Sequence, residues 1–594
     1  MSNVFQSLKP KASLSRNGFD LSQRHLFSSK AGMIVPVMCL DCIPNDFHEI
    51  NLSSLVRTMP LATDAFARMR IRYCFGFVPY WQVWHPWNEF ITQTKENQSN
   101  LEPENLQTEV PMIGLSDLLS DIANSAYIAG DRREPDEFGQ YPAFNAVRLL
   151  DMLGYGAYYD IAEAAYKAGT DADQSKLADI QDWIENEFQE KSVNPFRIAS
   201  YHKFYNDYFR NPVWENADPN LYNCDNLSGG SYVTRTQARN MFYTMQYSYY
   251  SKDMFTGLYP TPQFGAVSSI DIVDRQIKNK MPTSSLSNAK IGGSGTATSG
   301  LLRSENTSTG YDKWSITAAF DVYDLKRAEA LQAWKETKLR AGSKVKDQAT
   351  AFWGSPFRYA MDNYCQWVDE VDLNLSIDEV MSTAATEQAN LGQIGGKGIG
   401  VSSGNIKFKT DDFGTLICVA IVEPIGEYNA LMIDKNNTLC EPFDFATPQF
   451  ENLGFESVSQ YQLSLYGYIG DDTAIETNTV LGYAPRYLNY KTAVDKCHGE
   501  FMRVGHYGHD DIQGDVAVSG SLAHWCCPRT EMQMRTLKDP GVALNDLKIS
   551  PKIVDNIFYI ATDGLPSSDQ FIFNCNFDIK TNEASQERSK NART

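Results

Sequence analysis

Apolar and polar residues alternate with a period of two toward both ends of this chain, and with a period near 3.6 in parts of its middle. Near the start, GMIVPVMCLDCIP is a β-rich run closed by the turn signal Pro44-Asn45-Asp46. Residues 70–79 alternate basic with apolar side chains and then turn aromatic, which predicts a strand with one face buried. WQVWHPWNEF follows, with Trp81, Trp84 and Trp87 forming a packing or interface cluster. From about residue 370, short strands alternate with Gly, Pro and Asn punctuation. GNIKFKTDDFGTLICVAIVEPIGEY reads as a hairpin-like pair, and SSDQFIFNCNFDIKTN alternates cleanly.

The middle differs. LSDLLSDIANSAYIAG and DQSKLADIQDWIENEFQEK are helix-like, the second placing Leu177, Ile180, Trp183, Ile184 and Phe188 at helical spacing with acids opposite. AFDVYDLKRAEALQAWKETKLRAG holds good helix formers and stops at Gly342. Residues 263–312 are dense in Gly, Ser, Thr and Asn, and a loop of that length is normally functional or disordered. Strand-rich ends around a mixed middle predict one β domain over 1–594 with excursions. The excursions are a basic arm at 1–18, a partly helical insertion at 95–195 and a long polar insertion at 263–312.

Composition narrows the class. An apolar share of 42% and an aromatic share of 12% supply a real core and exclude a disordered chain. The net charge of −20 predicts that the body repels nucleic acid. The ends reverse that sign: residues 1–30 carry Lys9, Lys11, Arg16, Arg24 and Lys30 against Asp20 alone. The last fifteen residues carry Lys580, Arg588, Lys590 and Arg593 against Glu583 and Glu587. Basic ends on an acidic body hint at contact with a polyanion, although solvated ends are the plainer reading. The N-terminus shows no signal-peptide core and no run is long enough to span a bilayer. Eleven scattered cysteines read as buried reduced thiols made in a cytosol, not a disulfide framework.

Catalytic chemistry finds little support. Cys39-Leu-Asp-Cys42 lacks the second pair that zinc requires, and residues three apart on a strand face opposite ways. His498, His506, His509, Asp510 and Asp511 form the best metal-like group, in a Gly-rich stretch that reads as a loop. Gly395-Gly396-Lys397-Gly398-Ile399-Gly400 resembles a phosphate loop, but Gly398 follows the lysine and Leu391 stands where the first glycine belongs, so a flexible loop is expected. No catalytic residue, cofactor site or metal site is assigned, and no enzymatic activity is expected.

Ordered motifs give a sharper picture. Phe19-Asp20-Leu21-Ser22, VPVMCLDCIPNDFHEI and TDAFARMRIRYCFGFVPYWQVW resemble, in that order, the opening segments of the microvirus (gokushovirus-like) major capsid protein family. Gly76 stands where that family has an aromatic residue. KFYNDYFR, KDMFTGLYPTPQFG, KRAEALQAWKE, the GKGIG loop, NLGFESV, LGYAPRYLNYKTAVDKCHGEF and DQFIFNCNFDIK continue the resemblance in the same order to about residue 580. The resemblance implies a mainly β fold: an eight-stranded antiparallel viral jelly roll with large, partly helical insertions. It implies copies assembling into a T=1 icosahedral shell around circular single-stranded DNA, made in the host bacterial cytoplasm and carried in the virion. It further implies, as partners, a small basic DNA-binding protein, a minor pilot-type protein and a host surface receptor met by 263–312 as a variable polar surface insertion. Lys9, Lys11, Arg16, Arg588, Lys590 and Arg593 are then the residues expected to face the DNA. A spike-like glycan-binding or glycan-cleaving β protein is the alternative. A secreted adhesin fits less well, for want of a signal peptide.

Overall fold

The computed structural model describes residues 16–60, 68–92, 109–130, 140–227, 232–263, 322–341, 345–354, 363–381, 394–425, 434–459, 480–497 and 569–583, with shorter pieces between them. Its centre is a nine-stranded sheet made from the alternating ends of the sequence. The strands are β1 (Asn17–Asp20), β2 (Gln23–Ser29), β3 (Ile34–Cys42), β4 (Phe47–Thr58), β5 (Met69–Pro79), β6 (Gln366–Met381), β7 (Ile394–Lys409), β8 (Gly414–Pro424) and β9 (Phe571–Glu583). All neighbours in this sheet pair antiparallel, in the order β1-β9-β4-β7-β6-β5-β8-β3, with β2 also on β9.

Two halves are visible in that order. β2-β9-β4-β7 form one and β3-β8-β5-β6 the other, joined where β6 changes partner. Its first part, Gln366–Leu375, pairs with β5, and its last part, Ser376–Met381, pairs with β7. The halves differ in burial. β9 alternates buried and exposed positions along its length, so one face meets the core and one meets solvent. β8 is buried at all eleven positions, because helices cover its other face.

Between the halves lie Phe571, Phe573, Phe577, Val56, Leu52, Ile50, Tyr73, Phe75 and Leu416, all essentially buried. Phe27 stacks on Phe573 at 4.5 Å, and Phe77 meets Phe408 at 5.3 Å. Burying each such side chain contributes about 1.5–3 kcal/mol of transfer free energy. His48 also sits in this core, where burial pushes its pKa down to about 4.

The GGKGIG segment is not the expected loop but the start of β7, paired with β6. Its glycines have a packing reason. A Cβ at Gly398 would lie 2.6 Å from Thr58 and 3.1 Å from Leu375, and one at Gly400 would lie 2.9 Å from Leu373. Side chains of β6 fill the space that a larger residue on β7 would need. The expected hairpin at 404–428 is also corrected. β7 and β8 are joined by only four residues, 410–413, yet each pairs with other strands. The connection turns a corner between the halves, held by Thr410, which donates its N–H to the Asp46 carbonyl at 2.9 Å and accepts from the Asn45 N–H at 2.7 Å. Asn45 itself takes φ +70°, as the turn signal predicts.

A helical layer covers the β3-β8-β5-β6 half. It comprises α1 (Tyr80–Val83), α2 (Trp87–Thr92), α3 (Leu115–Gly130), α4 (Pro142–Met152), α5 (Tyr159–Thr170), α6 (Gln174–Phe188), α7 (Phe196–Phe204) and α8 (Tyr232–Tyr243). α7 lies on β5 and β8. Gly76 permits that contact: a Cβ there would stand 2.3 Å from the Phe204 ring. The aromatic group missing from the strand is thus supplied by the helix. The tryptophan run proves to be packing, since Trp84 and Trp87 are buried among Tyr80, Phe90 and Phe196. On α6, Asp173 caps the N-terminus, Leu177 and Ile184 are buried, and Trp183 is exposed instead of joining the stripe.

Outside the main sheet, α9 (Val322–Ala341) and α10 (Val345–Trp353) pack against each other. Most of 263–312 lies outside the described residues. Within it, Ala289–Ile291, Leu302–Ser304 and Asp312–Lys313 form a small antiparallel sheet.

Candidate nucleic-acid interface

The open face of β2-β9-β4-β7 can be written as rows, because the register aligns one residue from each strand. At one end the row is Ser28, Ile572, Arg57 and Ile399, followed by Leu26, Asn574, Leu55 and Val401. Leu26 and Val401 are 67% and 71% exposed, so this end is an uncovered apolar edge. The middle is amide and hydroxyl: Arg24, Asn576, Ser53 and Ser403, then Asp578, Asn51 and Asn405. The far end alternates in charge across four strands, as Asp20, Lys580, Glu49 and Lys407. Period two puts all of these side chains on one side, since each strand's intervening residues fill the core.

Polar contacts hold the face in order. Arg24 Nε donates to Asn574 Oδ1 at 2.8 Å, and Ser22 Oγ lies 3.1 Å from Asp578 Oδ1. Lys407 Nζ pairs with Glu49 Oε1 at 3.1 Å, and Asn405 Nδ2 donates to the same oxygen at 3.3 Å. The hydrogen bond from Lys407, reinforced by that from Asn405, holds the Glu49 carboxyl below its ordinary value. A hydrogen bond from the Ser22 hydroxyl does the same for Asp20. Both carboxylates are therefore ionised at neutral pH. Cations nevertheless slightly outnumber acids on this face and at its border, with Arg16, Arg24, Arg57, Lys407, Lys409 and Lys580 against Asp20, Glu49, Asp578, Asp411 and Glu583. That excess of positive charge sits on a chain of net charge −20.

Chemically, such a surface offers cations to phosphates and the amides of Asn51, Asn405, Asn574, Asn576 and Asn582 to bases or sugars. The interleaved carboxylates and aliphatic side chains suit loose, sequence-independent contact more than readout of a particular base.

Of the six cations expected from sequence, the described residues include Arg16. It stands exposed just before β1 and donates to the backbone carbonyls of Asn582, at 3.4 Å, and Asn45. Lys9, Lys11, Arg588, Lys590 and Arg593 lie outside the described residues. Their points of departure are fixed, however. Asn17 pairs with Glu583, so the segments 1–15 and 584–594 begin side by side at the charged end of the open face. Sequence reasoning missed Arg24 as a face residue, with Arg57, Lys407, Lys409 and Lys580. The signal was present: IKFK and DIK alternate, and sorting cations by strand parity collects them on one side.

The remaining motifs behave as scaffold or escape description. Burial pushes the Cys39 and Cys42 thiols each up to about 12. Among the described residues no group of His, Cys, Asp and Glu is arranged to hold a metal ion. The His498, His506 and His509 cluster lies outside them. No described helix is long and apolar enough to cross a membrane.

Comparison with known families gives one match: residues 7–120 and 171–507 correspond to the family described as capsid protein (F protein). The unmatched interval between these ranges takes in α4 and α5 of the covering layer. No curated protein matches the chain.

Proposed function

This chain belongs to the microvirus capsid protein (F protein) family, a structural component of the virion, and from that premise we propose that its copies close into a T=1 icosahedral shell around a circular single-stranded DNA genome. The fold we propose is the eight-stranded viral jelly roll. It is supported by strand order: two four-stranded halves, β2-β9-β4-β7 and β3-β8-β5-β6, in which sequential strands β2 to β5 fall alternately in the two halves.

The observation that carries the genome-facing reading is the common departure of both basic segments from the charged end of the open sheet face. Lys9, Lys11, Arg16, Arg588, Lys590 and Arg593 then act with Arg24, Lys407 and Lys409 to draw the DNA against that face. An acidic body cannot neutralise a packaged genome with so few cations. A small basic DNA-binding protein completes the neutralisation, and a minor pilot-type protein travels in the same particle. Assembly takes place in the host bacterial cytoplasm.

Deleting 1–15 together with 584–594, in cells supplying the other virion components, tests this reading. Shells still form, with less DNA per particle and weaker salt dependence of DNA retention. Full genome content in the deletion particles removes the role of the arms. We assign host contact to the 263–312 insertion, as the family resemblance implies; its length and polar composition are compatible with that role. Particles trimmed at 266–310 then assemble but adsorb poorly, and normal adsorption rejects the assignment.

A further inference from the structure

The apolar pattern of β9 decides which of its faces meets the core, but not where along β4 the strand comes to rest. Phe571, Phe573, Cys575, Phe577 and Ile579 are all buried, and the residues between them lie on the open side. A slip by one residue would turn all five outward, so the pattern excludes it. A slip by two keeps apolar side chains inside, because each takes its neighbour's place. Burial alone is nearly blind to that error.

A polar cluster stands where β9 begins. Gln570 is fully buried, and the Asp569 side chain is 11% exposed. Arg148 of α4, also buried, donates from Nη2 to Asp569 Oδ1 at 2.7 Å and from Nη1 to the Ser28 carbonyl at 3.1 Å. The Ser28 hydroxyl donates to the other Asp569 oxygen. Gln570 Oε1 accepts the Ala31 N–H at 2.9 Å, and its Nε2 donates to the Pro551 carbonyl at 2.9 Å. The Gln570 backbone donates to the Ser29 carbonyl at 3.2 Å and accepts the Met59 N–H at 2.9 Å. A slip by two would carry Asp569 about 7 Å along the strand. Arg148 would then be left as a buried cation without its carboxylate, and Gln570 would leave both of its side-chain partners. The core-side polar contacts farther along, Cys575 with Tyr73 and Thr581 with His48, each join one neutral group to another.

We infer that Arg148, Asp569 and Gln570 form the register pin of β9, selecting one alignment of the strand among those its alternation permits. Fixing register is the best-attested use of buried polar groups. The cation comes from α4, inside the interval 121–170 that the family match leaves out. A helix of the covering layer thereby sets the alignment of the open face on the other half. Rows such as Arg24, Asn576, Ser53 and Ser403 exist only in this register. The inference does not depend on what that face binds.

Cross-linking in the full chain reads the register directly. Opposite residues on neighbouring strands lie within disulfide reach, whereas residues two positions away do not. Ser53→Cys with Asn576→Cys therefore reports the native alignment, and Ser53→Cys with Asn574→Cys or with Asp578→Cys reports the two slips. Under a mild oxidant, with linked peptides identified by mass spectrometry, the unaltered pin should give the first link and little of the others. Arg148→Met with Asp569→Leu puts apolar groups of similar size in place of the ion pair, a change that buried pairs commonly tolerate. In that background circular dichroism should be retained while the slipped links rise by at least about tenfold. Slipped links that stay at the unaltered level in the folded variant overturn the inference, as do abundant slipped links with the pin intact. Should the double variant not fold, Asp569→Asn decides in its place, since it keeps the shape and removes the charge. Slipped links from it support the pin, and the native link alone overturns it.

Discussion

The two halves of the main sheet answer the same physical demand in opposite ways. In β2-β9-β4-β7 the strands alternate, and the open face carries amides, hydroxyls and charges. In β3 and β8 the strands are apolar almost throughout, because α4 and α7 press on the outer face while the core between the halves presses on the inner one. A strand exposed on one side can change every second residue at little cost. A strand covered on both sides has no such freedom. Stability is therefore concentrated in the covered half, and surface chemistry is left to the open one.

The largest expected effect in breaking this comparison is at the Gly76–Phe204 contact. Phe204→Ala should cost about 3–5 kcal/mol in urea unfolding, as for a buried ring in a close-packed core. Gly76→Phe alone should also destabilise, because its Cβ would meet the Phe204 ring. Together the two changes should recover much of the loss, since the ring is returned from the strand instead of the helix. Losses that simply add would show that the two positions do not share one space.

Acid provides the next test. His202 of α7 is fully enclosed, with Nε2–H donating to the Met241 carbonyl at 2.6 Å and Nδ1 accepting from Gln246 Nε2 at 3.1 Å. The contact from Gln246 needs the neutral ring, since a protonated Nδ1 cannot accept, and burial lowers the pKa to about 4. The unfolded chain takes up this proton near pH 6.5 and the folded chain only near pH 4. Stability from this site is thus whole above pH 6.5, falls as pH drops, and is lost by about pH 4. Linkage bounds the loss at about 3 kcal/mol. His202→Gln should flatten that part of the profile in urea titrations at pH 7, 5 and 4, and an unchanged slope would exclude His202 as its source.

The smallest effect belongs to the open half. Asn576→Ala on β9 should change stability by less than about 0.5 kcal/mol. A larger loss would mean that the amide rows hold the sheet together and are not merely displayed on it.

Much of this was legible in the chain. DQFIFNCNFDIK announced β9 by its alternation, and AEALQAWKETKLRAG announced α9. Partnership was not legible. The four residues between β7 and β8 look like a hairpin turn, and nothing local says that the strands part into different halves. The GGKGIG segment looked loop-like because glycine disfavours strands; its reason lies on β6, in Leu373 and Leu375. The basic ends were visible as composition, but their convergence depends on Asn17 pairing with Glu583, across nearly the whole chain. The helical period predicted a single apolar stripe on α6, yet Trp183 faces solvent, because periodicity does not say how wide a neighbour will be.

The position of β9 has a consequence in time. It lies between β2 and β4, both of which precede it by most of the length of the chain, and so it is made long after them. Until it arrives, β2 and β4 hold bare edges toward each other, and the open half cannot close. Such distant pairing makes for slow folding. It also works as a completion check: a chain that stops before β9 leaves β1, β2 and the edge of β4 without the strand they share, and the open half stays unbuilt.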